Sequence, residues 1–315
     1  MNSLALNSYA KLNLFLEVVN KRKDNYHNLR TIFERIDLKD TIILKPRQDK
    51  KINIICKNPD VPKDTSNLCY RSAILLQEIF NIDRGLDIKI MKRIPVGAGL
   101  GGGSSNAATL LMGLNKLWKL NLSRKKLAEI AKRIGCDVPF FIYETPFAVA
   151  SGRGDEIIPL NLPEHVHLWQ VLIVPKIAVS TLFIYKKWDR DSGLTPAPSC
   201  TENGNRKSIR GLTMPRFDVK LLTPLESLTE ALKKNNLSLI NELLFNSLEP
   251  ITLKYFPQLQ GIKEKLKELG LKTILMSGSG PAVFAVVSSR KEALTLGRKV
   301  KEKDRSLQVF VTRTS

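Results

Sequence analysis

Five glycines fall within seven residues at Gly97-Ala98-Gly99-Leu100-Gly101-Gly102-Gly103, with Pro95-Val96 before them and Ser104-Ser105-Asn106 after. Without side chains, backbone N–H groups can approach a ligand closely, and a helix beginning near Ser104 would turn its positive end to the same point. That combination suits a polyphosphate. No Gly-Lys-Ser/Thr follows the loop, which excludes a Walker A site. Gly97, Gly99 and Gly102 do satisfy the dinucleotide spacing, but that motif wants a carboxylate roughly 20 residues on, and none occurs from Ile88 to Ala128. The first strand of a dinucleotide fold should also lie just before the loop, whereas a long β-rich stretch precedes it here.

Two further segments could do chemistry. Gly135-Cys136-Asp137-Val138-Pro139-Phe140-Phe141 sets one carboxylate at a helix end among apolar neighbours. A nearby cation would hold it ionised, ready to take a proton from a hydroxyl, although such an Asp taken alone is more often a turn or cap residue. Ser277-Gly278-Ser279-Gly280-Pro281-Ala282 is a second small-residue turn, readable either as a tight turn or as a place where backbone meets a ligand. Metal chemistry finds no support. Cys56, Cys69, Cys136 and Cys200 form no CxxC pair and read as reduced thiols of a cytosolic compartment, and His165 and His167 read as surface or packing residues.

The elements that must position these residues follow from periodicity. Leu4 to Val19, Thr31 to Leu44 and Ile52 to Cys56 read as strands. Asn67 to Phe80 has apolar residues at helical spacing, with Thr65 or Ser66 as N-cap. A strand, Leu86 to Met91, leads into the glycine turn, then come a helix from Ser104 to Trp118 and another, capped by Ser123, through Ile134. Pro159 to Glu164 reads as loop, and Val171 to Val174 as a fresh strand. Residues 186–216 lack periodicity and read as a long surface loop. Helices over Pro224 to Lys234, Leu239 to Leu244, Pro257 to Leu269 and Lys291 to Lys301, with strands over Thr273 to Met276, Val283 to Val287 and Gln308 to Thr312, complete the chain. This mixed order predicts an α+β fold in two domains, 1–160 and 161–315.

With 315 residues, 43% of them hydrophobic and 25% charged, the composition is that of a globular protein. No stretch reaches the roughly 18 uncharged apolar residues of a membrane span. Met1 to Ala10 lacks the features of a secretory signal, so a soluble, cytoplasmic protein is expected. The net charge of +20 is shared evenly: residues 1–160 hold 26 basic and 16 acidic side chains, residues 161–315 hold 24 and 14. Runs such as Arg124-Lys125-Lys126 and Lys186-Lys187 read as solvated faces. An even spread argues against a nucleic-acid platform and is compatible with a basic cleft that attracts anionic small molecules.

Lys11 and Asn13 in the first strand, the Pro95 to Ala108 loop, Gly135 to Phe141 and the Ser277 to Ala282 turn stand in the order and spacing of the three motifs of the GHMP kinases, and the chain resembles that family along essentially its whole length. Tyr9-Ala10-Lys11-Leu12-Asn13-Leu14, Tyr26-His27, Thr65-Ser66-Asn67-Leu68, Asp137-Val138-Pro139-Phe140-Phe141 and Gly152-Arg153-Gly154-Asp155 resemble the branch that acts on a CDP-alcohol in non-mevalonate isoprenoid biosynthesis. The resemblance implies a two-domain fold with the site in the cleft between domains, and an ATP-dependent small-molecule kinase using Mg²⁺. By position, Asp137 would be the general base and Lys11 the cation beside it. Pro95, Val96, Gly97, Ala98, Gly99, Leu100, Gly101, Gly102, Gly103, Ser104 and Ser105 would wrap the ATP phosphates, Ser104 or Ser105 would neighbour the metal, and Asn67 and Leu68 would lie near adenine. Tyr26 and Tyr185 would stack on the cytosine and His27 would hydrogen-bond its edge. Asn13, Arg153, Thr181, Gly278 and Ser279 would contact the rest of the acceptor. A surface turn at Tyr26-His27 and a core role for Tyr185 remain alternatives, as do homoserine-type or mevalonate-type substrates. Neither nucleic acid nor membrane is implied as a partner, and the expected state is a monomer or weak homodimer.

Overall fold

The computed structural model describes residues 3–192 and 222–315. The chain opens with two long strands, β1 (Leu4–Lys21) and β2 (His27–Pro46), followed by β3 (Ile52–Cys56), α1 (Leu68–Phe80), β4 (Leu86–Met91), α2 (Gly102–Leu117), α3 (Arg124–Lys132), α4 (Val138–Ile142), β5 (Phe147–Ser151) and β6 (Glu156–Pro159). Then come β7 (Trp169–Val174), α5 (Thr181–Asp191), α6 (Pro224–Lys233), α7 (Leu237–Leu243), β8 (Phe245–Asn246), α8 (Glu249–Tyr255), α9 (Pro257–Glu268), β9 (Leu275–Met276), β10 (Val283–Val287), α10 (Arg290–Lys303) and β11 (Gln308–Arg313).

The fold is α+β. One seven-stranded sheet runs β3-β4-β2-β1-β8, with β5 paired to β2 and β6 to β5, and a four-stranded sheet runs β11-β7-β10-β9. The length of β2 lets it serve two neighbours: Thr41 to Pro46 pairs with β4, and Thr31 to Glu34 pairs with β5. The register of β1 against β2 shifts between Asn13 and Phe15, and such a bulge re-aims nearby side chains. Apolar faces of α1 to α4 cover the first sheet, with Leu76, Leu110, Leu111 and Phe140 fully or almost fully buried. A second core (Leu12, Leu14, Ile94, Leu100, Phe284) joins the glycine-loop segment to both sheets.

Side chains also close the seam between the sheets. Gln170 Nε2 on β7 and Thr314 Oγ1 after β11 both donate to Glu34 Oε1 on β2, at 2.7 and 2.5 Å. Glu34 is wholly buried, its Oε2 has no partner, and burial pushes its carboxyl up to about 8.

Several local expectations change. The cap of α1 is Asn67, not Thr65 or Ser66: its Oδ1 accepts from Cys69 N at 2.8 Å while its Nδ2 donates to the Pro62 carbonyl. Helix α2 begins at Gly102, so Gly102 and Gly103 belong to its first turn and not to the loop. The loop expected from residue 186 is instead helical through Asp191, because Ser180 caps α5 and Ile184 and Trp188 bury one of its faces; the remainder, 193–216, lies outside the described residues. The β5–β6 hairpin, α8 and the two-residue β8 had no sequence expectation.

Candidate active site

The glycine loop follows β4 and closes onto the second small-residue turn. Gly99 has φ +76°, and a Cβ there would lie 2.3 Å from the Ser277 carbonyl oxygen. Only a glycine permits this contact. The two turns are bonded directly: Ala282 N donates to the Ala98 carbonyl at 3.3 Å, and Ser277 Oγ donates to that of Gly99 at 3.1 Å. Gly97, at φ +68°, would meet nothing within 4 Å with a Cβ, so this part of the loop faces open space. The first turn of α2 presents its unpaired N–H groups beside it.

Lys11 enters from β1. Its backbone N donates to the Leu100 carbonyl at 3.0 Å, which ties the strand to the loop. Its Nζ donates to Asn13 Oδ1 at 2.6 Å, lies 3.5 Å from Asp137 Oδ2 and sits 4.8 Å from the centre of the Phe33 ring. Asn13 in turn donates to Thr31 Oγ1 at 2.9 Å. The Lys11 side chain is 5% exposed and that of Asp137 34%. Asp137 occupies the cap position of α4 yet makes no capping hydrogen bond, so its carboxylate is available to the ammonium and to a ligand.

These groups share one cavity of about 400 Å³, lined by Lys11, Asn13, Asn67, Leu68, the run from Pro95 to Ser104, Asp137, Thr181, Tyr185, Gly278 and Ser279. Of the two candidate serines, Ser104 faces the cavity. Ser105 is buried, does not line the cavity, and its hydroxyl accepts from Ser8 Oγ at 2.8 Å. Tyr26, His27 and Arg153 do not line the cavity itself. They form an adjoining cluster. His27 stacks on Tyr185 with ring centres 4.9 Å apart and meets the edge of Trp188 at 5.4 Å. Tyr26 is half exposed, with the Arg153 guanidinium 5.1 Å from its ring centre, and Arg153 is paired with Asp155 at 2.6 Å. Burial raises the Tyr185 hydroxyl above the usual phenol range, and the nearby Asp137 charge adds to it. Burial also pushes the Cys136 thiol up to about 11, which keeps this neighbour of Asp137 protonated and inert.

Three supporting residues escaped the sequence reading. Asp40 is fully buried and accepts from Lys92 Nζ at 2.6 Å, from Arg93 N and Ile94 N, and from Asn106 Nδ2, fixing the approach to the glycine loop. Lys92 lines the cavity from beneath the start of α2. Asn246 donates to the carbonyls of Met276 and Gly278, both at 2.8 Å, and so holds the second turn in place. Asp40 and Asn246 lie far in sequence from what they support, and no local spacing could have marked them, whereas Lys92 stands just before the loop it adjoins. Among the described residues, no group of three or more His, Cys, Asp or Glu is placed to hold a metal, and no helix is long and apolar enough to cross a membrane.

Comparison with known proteins agrees with this geometry. Residues 67–145 match the GHMP kinases N terminal domain and residues 228–305 the GHMP kinases C terminal domain. A 4-diphosphocytidyl-2-C-methyl-D-erythritol kinase of Geobacillus sp. (strain WCH70) is 41% identical over 284 residues, covering 90% of this chain and 88% of the relative. The enzyme of that name from Clostridium perfringens (strain ATCC 13124) is 36% identical over 311 residues, covering 99% and 98%. A crystal structure of 4-(cytidine 5'-diphospho)-2C-methyl-D-erythritol kinase superposes with TM-score 0.75 at 29% identity, covering 99% of this chain and all of that one. With the ion pair, the two glycine turns and these full-length relatives in agreement, the chain belongs to the GHMP kinases and, within them, to the 4-diphosphocytidyl-2-C-methyl-D-erythritol kinases.

Proposed function

We infer that this chain phosphorylates the 2-hydroxyl of 4-diphosphocytidyl-2-C-methyl-D-erythritol with ATP, giving the 2-phosphate and ADP, a step of non-mevalonate isoprenoid precursor synthesis. The observation that carries the reading is the Lys11–Asp137 ion pair at 3.5 Å, inside the cavity bounded by the glycine loop. In this reading, backbone N–H groups from Gly97 to Ser104 hold the ATP phosphates against the start of α2, and Asn67 and Leu68 bound the adenine end. Asp137 takes the proton of the acceptor hydroxyl as that oxygen attacks the γ-phosphorus and ADP leaves. Lys11 pairs with the Asp137 carboxylate and faces the charge on the transferred phosphoryl group. Chemistry of this kind is mostly positioning and electrostatics.

The donor set suits a hard cation delivered with ATP. Ser104 offers a hydroxyl oxygen at the cavity wall, and the phosphates would supply the remaining oxygens. Mg²⁺ bound there would offset phosphate charge. Asn13, Thr181, Gly278 and Ser279, with Thr181 Oγ1 2.8 Å from Ser279 Oγ, would contact the diphosphate and erythritol. Tyr26 and Tyr185 would provide stacking faces and His27 a hydrogen-bonding edge at the nucleotide end, with Arg153 a cation toward the rest of the acceptor. We propose a cytoplasmic monomer or weak homodimer, checked by size-exclusion chromatography with light scattering.

Purified protein with ATP, Mg²⁺ and candidate acceptors should release ADP in proportion to the cytidyl substrate. No acceptor-dependent ADP with that substrate overturns the assignment, and turnover of homoserine or mevalonate in its place redirects it within the family. A gel shift at about 150 mM salt should show no nucleic-acid complex, since purely electrostatic binding weakens steeply with salt.

A further inference from the structure

His27 opens β2 with its side chain only 5% exposed, and one helix clamps its ring. Tyr185, Trp188 and Asp189 stand at i, i+3 and i+4 along α5, so they share a face. Tyr185 stacks on the imidazole, Trp188 meets it edge-on, and Asp189 Oδ1 lies 2.6 Å from His27 Nε2. The second oxygen, Asp189 Oδ2, accepts from Lys21 Nζ at 2.7 Å, at the end of β1. Burial alone would raise the Asp189 carboxyl, but the hydrogen bonds from Lys21 and His27 outweigh it and hold the group below the usual range.

An ionised carboxylate only accepts hydrogen bonds. The short contact therefore requires that His27 Nε2 carry a proton. A neutral imidazole carries a proton on only one ring nitrogen, and the contact with Asp189 places it on Nε2. Nδ1 is then a lone-pair acceptor, and no described residue donates to it. We propose that Asp189, supported by Lys21, is a positioning residue that fixes His27 as a hydrogen-bond acceptor and so selects an aminopyrimidine, cytosine, over uracil at the nucleotide end of the acceptor. The inference rests on the reading above that the acceptor carries cytosine. Cytosine offers an amino group where uracil offers a carbonyl oxygen. An imidazole acceptor pairs with the first and opposes a second lone pair with the other, and leaving a site's polar group unpaired is an effective means of discrimination.

The tautomer can be read directly. The chain has three histidines, so nitrogen-15 NMR of histidine-labelled protein, assigned with His27→Asn, should show Nε2 protonated and Nδ1 bare at neutral pH. A proton on Nδ1 overturns the proposal. Kinetics supply the second reading. Asp189→Asn can accept from Nε2–H or donate to a bare Nε2, so it no longer imposes the tautomer. Its ratio of kcat/KM for the cytidyl acceptor over the uridyl analogue should fall at least about tenfold, mainly through acceptor KM, while KM for ATP stays within about twofold. Asp189→Glu, which keeps a carboxylate, should hold the ratio closer to wild type. A merely structural role would weaken both acceptors alike, and an unchanged ratio in Asp189→Asn overturns the proposal. If wild-type protein turns over neither acceptor, the functional reading fails, while the tautomer measurement still decides the clamp by itself.

Discussion

Around the glycine loop, the end proposed to hold phosphate, the cavity wall is mostly backbone from one short run, Gly97 to Ser104, braced by a second turn at Ser277 to Ala282. At the adjoining cluster it offers side chains gathered from distant segments: Tyr26 and His27 between and at the start of long strands, Arg153 from a turn, and Tyr185, Trp188 and Asp189 from α5. A phosphate is recognised through charge and N–H groups that every residue carries, so what such a site needs is the absence of side chains. A flat base needs faces and directed donors or acceptors, which only particular side chains provide. The first end should therefore fail through shape, and the second through loss of single groups.

Asp137→Asn, where the two ends meet, should give the largest effect, a fall in kcat of about 10²–10⁴-fold with KM for ATP little changed. Steady-state kinetics with both substrates varied would check it, and a wild-type rate would place the base elsewhere. Tyr26→Ala should raise the acceptor KM by about 10- to 100-fold and leave that of ATP alone, if the half-exposed ring stacks on the base. An equal rise for both substrates would erase the distinction between the two ends.

Two glycine variants sharpen the phosphate end. Gly99→Ala brings a methyl group to 2.3 Å from the Ser277 carbonyl oxygen at a positive φ, and should cost about 3 kcal/mol by chemical denaturation with a large loss of turnover. Gly97→Ala meets no neighbour and should cost only about 1 kcal/mol, with its effect confined to KM for ATP. Similar losses in both would contradict the different surroundings of the two residues. Glu34 at the sheet seam should leave turnover untouched. Its folded-state value of about 8 lies above the ordinary 4.5. The folded chain thus keeps a proton that the unfolded chain gives up, and stability should fall as pH rises from about 4.5 to about 8. Glu34→Gln should flatten that slope and raise Tm at pH 8, read by thermal melts across pH.

The sequence by itself determined the glycine loop, the strand before it, the helix after it and the α+β order, because each depends on local spacing: backbone freedom, alternation and helical period act within a few residues. Residue type also singled out Asp137, whereas Lys11 was marked only through the resemblance to the GHMP kinases. Only the tertiary structure decided that they stand 3.5 Å apart and that Ser104 rather than Ser105 faces the cavity. It likewise decided that the segment after Ser180 is a helix, since burial of Ile184 and Trp188 against the rest of the chain stabilises it where local composition suggested loop from residue 186. Asp40, Asn246 and Asp189 were silent in sequence for a common reason. Each acts on backbone or on a ring brought to it by long-range packing, and a hydrogen bond between segments tens to more than a hundred residues apart leaves no period to read.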